Sequence, residues 1–542
     1  MSRNFLKKMI IATLGVGLVS TPVFIDKAAL AKPMQIEVSN FTPSNIKNKV
    51  YNLDFDSTIG KEYSRVCNGQ TVNYIAYENI VYVRNPKSPE YQAMNIYIPK
   101  DYLSGATING YTAKTAPIFL PNGVGGYMPG KALTPIESDK MNGGGANSVL
   151  YALSRGCVVA CPAIRGRTNI ANGNYVGKAP AFIVDYKAAV AYLRYNKNRL
   201  PAGDTERIIS NGTSAGGALS ALLGVTGNAK DYDPYLEQLG AAKASNDIFA
   251  SSDYCPITNL EHADMAYEWI FHEVTTYYPA MWQLQDLQSR GIKKSKIKFD
   301  GAPDSDRANN PTSSAEAVKM TDAEINISAP LRDAFDEYVN SLDLRDLNGN
   351  VLTLDDKGNG SFKEYIRSKY IESAQAALDS GADLSNVDWI TVKNGRVVDA
   401  DLQKYPFAVT RMKAAPAFDK LDLSSAENDE FAAADNKPRH FNKIVQRSVG
   451  GAMAEADIIR LMNPMNFIAG NVTIAPHFRI RHGAADRDTS LAIPAILALK
   501  LQNRGIDVDF FSPWGRGHGG DYDLEQLFDW IDKICKADPR DK

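Results

Sequence analysis

The chain has 542 residues, 44% hydrophobic and 23% charged, with 40 Gly, 27 Pro and 5 Cys, a globular composition that excludes disorder, collagen-like repetition and a disulfide-stapled miniprotein. Its formal charge is −2, and no run of about five or more like charges occurs. The electrostatic footprint of a nucleic-acid binder is therefore missing, and no nucleic-acid partner is expected.

In chain order, Arg3, Lys7 and Lys8 precede the apolar run 9–24, and Ala29-Leu30-Ala31 has the small residues of a cleavage site. Thr13, Ser20, Thr21 and Pro22 interrupt the run, which is shorter than the roughly 20 residues of a membrane span. The reading is a secretory signal peptide at 1–31, cleaved near Ala31. It predicts a secreted, periplasmic or envelope protein with no stable membrane anchor after cleavage. A polar lead-in, 32–70, follows. The periodicity then predicts strands over 74–83, 95–99, 116–121, 157–164, 206–211, 248–255, 478–482 and 508–513. Helices are predicted over 148–154, 181–195, 215–225, 490–503 and 524–536. This alternation is the signature of an α/β fold with a mostly parallel, doubly wound sheet.

The stretch 258–475 is too long for a connection inside one domain. It carries its own helical patterns around Tyr267, 331–338 and 362–378, hairpin signals at Asn348-Gly349 and Asn394-Gly395, and a polar loop at 291–314. It reads as an inserted cap, or lid, domain over a split catalytic domain formed by 71–257 and 476–542. Five cysteines are an odd number for an exported chain, so at least one stays unpaired or pairs between chains. Cys157 and Cys161, on a buried strand, are expected to pack as small hydrophobes.

Gly212-Thr213-Ser214-Ala215-Gly216 fits the Gly-x-Ser-x-Gly nucleophile elbow, with a predicted strand before it and a helix after it. A serine hydroxyl needs a histidine to take its proton and a carboxylate to orient that histidine. Of six histidines, His518 alone follows the last predicted strand, in a glycine-rich loop. Asp486 and Asp488 follow the strand ending at Arg481-His482-Gly483. Asp486 is the better placed acid, and turn formation is the competing role for both. The amide of Ala215 is one oxyanion donor, and the loop 121–127 after an early strand supplies another. Its glycines do not form a dinucleotide-binding pattern. No cofactor or metal is expected: His262, Asp264, Glu268 and His272 lack His-Glu-x-x-His spacing, and 355–360 reads as a turn rather than a calcium loop.

Asn-Gly-Thr-Ser-Ala-Gly-Gly at 211–217, Tyr-Cys-Pro-Ile at 254–257, Asn-Leu-Glu-His-Ala-Asp-Met-Ala-Tyr-Glu-Trp at 259–269, Arg-His-Gly-Ala-Ala-Asp-Arg-Asp-Thr-Ser at 481–490 and Gly-Asp-Tyr-Asp-Leu at 520–524 resemble bacterial tannases (tannin acyl hydrolases) of the α/β-hydrolase superfamily. The likeness runs from about residue 70 to 536. It implies a triad of Ser214, Asp486 and His518, with Gly126 and Ala215 as oxyanion donors. It also implies that Lys413, Glu427 and Asp488 bind galloyl hydroxyls, with Ile257 as an apolar wall. On sequence alone, Lys413 and Glu427 read as solvated surface residues. Two positions depart from the pattern: Ala426 stands where a Pro is expected, and glycines flank His518 on both sides. The resemblance implies a serine esterase that hydrolyses galloyl esters of gallotannins and simple gallates through an acyl-enzyme, its partner being that small-molecule ester or tannin. A feruloyl or other phenolic-acid esterase, and a non-catalytic binding protein on a hydrolase fold, are the alternatives.

Overall fold

The short apolar runs assemble into one central sheet. β1 (Lys61–Cys67) and β2 (Gln70–Val81) form an antiparallel hairpin, and β3 (Ala93–Pro99) extends it. β4 (Pro117–Pro121), β5 (Val158–Pro162), β6 (Asp204–Thr213), β7 (Ala250–Tyr254), β8 (His477–Arg481) and β9 (Asp507–Phe511) run parallel, and β5 meets β3 antiparallel. The strand order is β1-β2-β3-β5-β4-β6-β7-β8-β9. β4 and β5 are buried along their whole length, as continuous apolar parallel strands must be. The α/β class and mostly parallel sheet expected from the alternation are what is observed.

This computed structural model describes residues 50–139, 144–279, 317–432 and 435–541. The signal peptide read at 1–31 and the loop read at 291–314 lie outside the described residues. No described helix is long and apolar enough to cross a membrane.

The lead-in reading needs a correction, because β1 lies inside it. Its sequence, Lys-Glu-Tyr-Ser-Arg-Val-Cys, is mostly exposed at the sheet edge and so shows no buried face. The legible signal was Asn68-Gly69, whose φ angles of 48° and 83° suit a type I′ hairpin turn.

Helices α1 (Ser148–Ser154), α2 (Ala181–Tyr195) and α3 (Ala215–Val225) occupy the predicted connections. Between β7 and β8 come α4 (Leu260–Phe271), α5 (Asp322–Ser341), α6 (Ser361–Asp379), the hairpin Ile390–Lys393 with Arg396–Ala400, and the short α7 (Ala426–Glu430). Among the described residues, none of this interval joins the central sheet. Its Phe335, Phe362, Tyr370, Trp389 and Tyr405 are continuous with Phe119, Ile209, Phe478 and Ile480 of the sheet in one apolar core. The described residues fall in one compact unit, Thr42–Lys542. The turn at Asn348-Gly349 closes only an isolated bridge between Arg345 and Val351 instead of a hairpin ladder. Asp346 gathers the amides of Asn348 and Asn350, so a side chain holds that turn. α8 (Ala492–Gln502) and α9 (Leu524–Ala537) close the chain.

All five cysteines are buried free thiols. The most deeply buried ion pair joins Glu268 of α4 to Arg411; both side chains are inaccessible. Arg411 Nη1 donates to Glu268 Oε2 at 2.9 Å and to the Phe271 carbonyl at 3.2 Å, and Arg411 Nη2 donates to Glu268 Oε1. Removing the cation strands a buried carboxylate. Arg411→Met is therefore expected to lose about 3–5 kcal/mol, measured as a lower urea midpoint.

Candidate active site

Ser214 stands between the end of β6 and the first residue of α3 with φ 61° and ψ −123°, a strained conformation for a residue with a Cβ. The turn is possible because its neighbours are small: a Cβ on Gly216 would lie 2.5 Å from Asn122 Oδ1 and 2.6 Å from the Val124 carbonyl. Asn122, just past β4, donates from Nδ2 to the carbonyls of Asn211 (3.1 Å) and Gly216 (3.0 Å), tying the oxyanion-loop candidate to the elbow. Ala215 opens α3, so its amide is among those with no acceptor inside the helix. Gly126, with φ 52°, lies on the loop after β4. Ile257 is buried beside the elbow, its amide 3.4 Å from the Ser214 carbonyl.

Asp486 sits in the turn after β8. Its Oδ1 accepts the amides of Asp488 (2.8 Å) and Thr489 (3.2 Å), which aims Oδ2 at His518 Nδ1, 2.9 Å away. Burial pushes the Asp486 carboxyl up, but His518, His482 and the Thr489 amide outweigh it and hold the group well below the usual carboxylate range. The loop that carries His518 crosses close to both β6 and β7: a Cβ on Gly520 would lie 1.9 Å from Thr213 Oγ1 and 3.0 Å from Tyr254 Cβ. Gly520 is thus required by the approach to the elbow strand, whereas a Cβ on Gly519, beside His518, would meet nothing within 4 Å. Nε2 lies 3.9 Å from Asp488 Oδ1 and 4.0 Å from Cys255 Sγ. Burial disfavours the imidazolium, yet Cys255, Asp486 and Asp488 outweigh it and raise the His518 pKa well above its ordinary value.

Lys413, Glu427 and Asp488, far apart in sequence, are brought together. The sequence-only reading of Lys413 and Glu427 as solvated surface is corrected: both are buried, Glu427 on α7. Lys413 Nζ donates to Asp488 Oδ1 at 2.9 Å and lies 4.0 Å from the centre of the Phe418 ring. Burial lowers the Lys413 pKa, but Asp488 and Glu427 more than restore it. Burial raises the Glu427 carboxyl, with Lys413 opposing. Asp488 is held below the ordinary value because Lys413 and then His518 overcome its burial. The result is one ammonium and two carboxylates in a buried site, beginning within 4 Å of His518 Nε2.

The supporting residues were not legible in the sequence. Tyr267 Oη donates to the Arg487 carbonyl (2.8 Å) and accepts the amide of Lys413 (3.2 Å), joining the lysine segment to the Asp486-Arg487-Asp488 turn. Arg411 Nε holds the Lys413 carbonyl at 2.5 Å. The sequence pattern around Tyr267 marked only a helix.

Three of the four residues weighed as a metal site do other work. His262 stacks on Tyr338 at 3.7 Å, Asp264 accepts the amides of Phe418 and Asp419, and Glu268 pairs with Arg411. Asp355 accepts the amides of Lys357 and Asn359, the turn expected there. Among the described residues, Cys255, Asp486 and His518 form the one group of three with metal-ligand chemistry.

A family model described as BD-FAE matches residues 137–285, the part of the chain that contains the elbow. No curated protein matches. Solved structures do. The tannase of Fusobacterium nucleatum is 48% identical, with TM-score 0.81, covering 90% of this chain and 100% of its own. The native tannin acyl hydrolase of Lactobacillus plantarum is 42% identical, with TM-score 0.79, covering 89% and 99%. A tannin acyl hydrolase in complex with ethyl gallate matches equally, at 42% identity, TM-score 0.79 and the same coverage. Identity at this level over nearly the whole of both chains places the sequence and its fold together: this chain belongs to the tannase (tannin acyl hydrolase) family.

Proposed function

We propose that the chain is a serine esterase that hydrolyses galloyl esters, of gallotannins and of simple alcohols, releasing gallic acid. Ser214 Oγ attacks the ester carbonyl, and His518 Nε2 accepts the serine proton and returns it to the leaving alcohol. Asp486 holds the imidazole through Nδ1 and stabilises its charged form. The amides of Gly126 and Ala215 receive the oxyanion. Water, activated by the same histidine, then releases gallate from Ser214. Lys413, Glu427 and Asp488 hold the three phenolic hydroxyls, and Ile257 bounds the ring. Relatives described as complexes with ethyl gallate and with 3,4-dihydroxybenzoate support this substrate class.

The observation that carries the reading is the buried Lys413–Asp488 pair with Glu427 beside it, adjoining the base. Adjacent phenolic hydroxyls both donate and accept, so together they satisfy an ammonium and two carboxylates. An ester without those hydroxyls leaves the charges unpaired, a strong basis for discrimination. The residues matched by BD-FAE stop short of Lys413, Glu427 and Asp488, so that likeness bears on the elbow and not on the acid cleaved. Assay of methyl gallate, methyl ferulate and methyl benzoate tests the reading: gallate is expected to be strongly preferred. Equal rates on all three would overturn it, and preference for ferulate would select the alternative. Export through 1–31 is part of the proposal, and N-terminal sequencing of the exported protein that found Met1 would reject it.

The raised pKa of His518 carries a pH prediction. The base must be neutral to act, so activity is lost as pH falls through the His518 pKa and present above it. Asp488 contributes to the rise from 3.9 Å away. Asp488→Asn is expected to move the acid limb of kcat/KM for p-nitrophenyl acetate down by about one pH unit. An unmoved limb would mean that Asp488 does not act on the base.

A further inference from the structure

The oxyanion loop and the helix carrying Glu427 come from different parts of the chain, and one side chain touches both. Arg167, five residues beyond the end of β5, donates its backbone amide to the Tyr127 carbonyl at 2.9 Å and its Nε to the Gly126 carbonyl at 3.1 Å. Its Nη1 donates to Asp429 Oδ2 at 2.7 Å. Asp429 lies on α7 two residues after Glu427, and its other oxygen accepts Lys178 Nζ at 2.6 Å. The Ala179 amide donates to the Glu430 carbonyl at 3.0 Å, adding a second tie between α7 and the 165–179 segment. The Arg167 and Asp429 side chains are mostly shielded, 22% and 23% exposed.

The loop needs such a hold. A Cβ on Gly125 or Gly126 would meet nothing within 4 Å, so packing does not fix these two peptides. Hydrogen bonds do: Met128 donates to the Gly125 carbonyl at 2.9 Å, and Arg167 holds the Gly126 carbonyl. The Gly126 N–H shares one planar peptide with the Gly125 carbonyl, so Met128 orients that peptide directly and Arg167 fixes the next one across the Gly126 Cα. An oxyanion donor must be aimed to within a few tenths of an ångström to act in the transition state.

We infer that Arg167 is a positioning residue that sets the Gly126 oxyanion donor and, through Asp429, the Glu427 helix, so that ring recognition and transition-state stabilisation share one guanidinium. The inference rests on the galloyl-esterase reading for the ring and on the elbow geometry for the oxyanion. Lysine keeps a cation for Asp429 but lacks the planar fork that reaches both partners.

The test compares Arg167→Lys, Arg167→Met and Asp429→Asn on methyl gallate and p-nitrophenyl acetate, with rates normalised to sites titrated by a serine-directed phosphonate. Arg167→Lys is expected to lower kcat about ten-fold on both esters with the gallate KM within about two-fold, whereas Arg167→Met adds about a ten-fold rise in gallate KM. Asp429→Asn is expected to raise gallate KM more than it lowers kcat. The inference is overturned if both arginine variants keep kcat and KM within about two-fold per titrated site, whether or not their melting temperature falls, because Arg167 would then serve folding alone. Failure of the substrate reading is separate: the wild type would cleave p-nitrophenyl acetate and not methyl gallate, and the kcat effect of Arg167→Lys would still be read on the acetate.

Discussion

Ser214→Ala is expected to lower kcat for methyl gallate by about a million-fold while the protein stays folded and still binds gallate. The size follows from the proposed mechanism, in which Ser214 bonds to the acyl carbon and His518 and Asp486 have no nucleophile to serve without it. The fold should survive because β6, α3 and the Asn122 hydrogen bonds to Asn211 and Gly216 define the turn without the hydroxyl. Alanine also tolerates the strained φ about as poorly as serine, so the backbone penalty is unchanged. A burst assay with methyl gallate and labelling by a serine-directed phosphonate check the result together. A variant that keeps more than about one per cent of the rate, or is still labelled, would mean that another residue is the nucleophile.

Lys413→Met is expected to lower kcat/KM for methyl gallate by about 100- to 1,000-fold, with a much smaller loss on methyl benzoate. Two effects act in the same direction. The phenolic hydroxyls lose their cation, and Asp488 loses its partner at 2.9 Å while remaining buried. Burial then raises the Asp488 pKa with only His518 left to oppose it, which weakens the carboxylate as an acceptor for the substrate. The ratio of gallate to benzoate kcat/KM is the decisive measurement because the triad is common to both. If the two esters fell by the same factor, Lys413 would be supporting the turn at 486–488 and not the ring.

The proposed catalytic elements were readable because their marks are local. A strained serine between strand and helix demands glycines beside it, and that demand is written at Gly212 and Gly216. Asp486 was readable from its place after a strand and His518 from its place after the last one, since chain order in this fold restricts where each can stand. Lys413 and Glu427 carry no such local mark. Lys413 is held by Tyr267, Arg411 and Phe418 and Glu427 sits on the polar α7, and the burial of both depends on how the interval between β7 and β8 folds. The likeness to tannases pointed to them where pattern alone read solvated surface.

β1 was missed for the same reason in reverse: an edge strand has no buried face to show. Arg167 was missed because an arginine in a glycine-bearing loop reads as solvated until the carbonyl of Gly126 and the carboxylate of Asp429 are found at either end of it.

The sequence by itself determined the α/β alternation and the long interval between β7 and β8, and it proposed the elbow at Ser214 and an order of nucleophile, acid and base, because periodicity and strained turns act over a few residues. Only the tertiary structure decided that an ammonium and two carboxylates from three distant segments share one buried site next to His518. Charges can be buried there only when partners from other parts of the chain arrive with them, and no residue's neighbours in sequence record that.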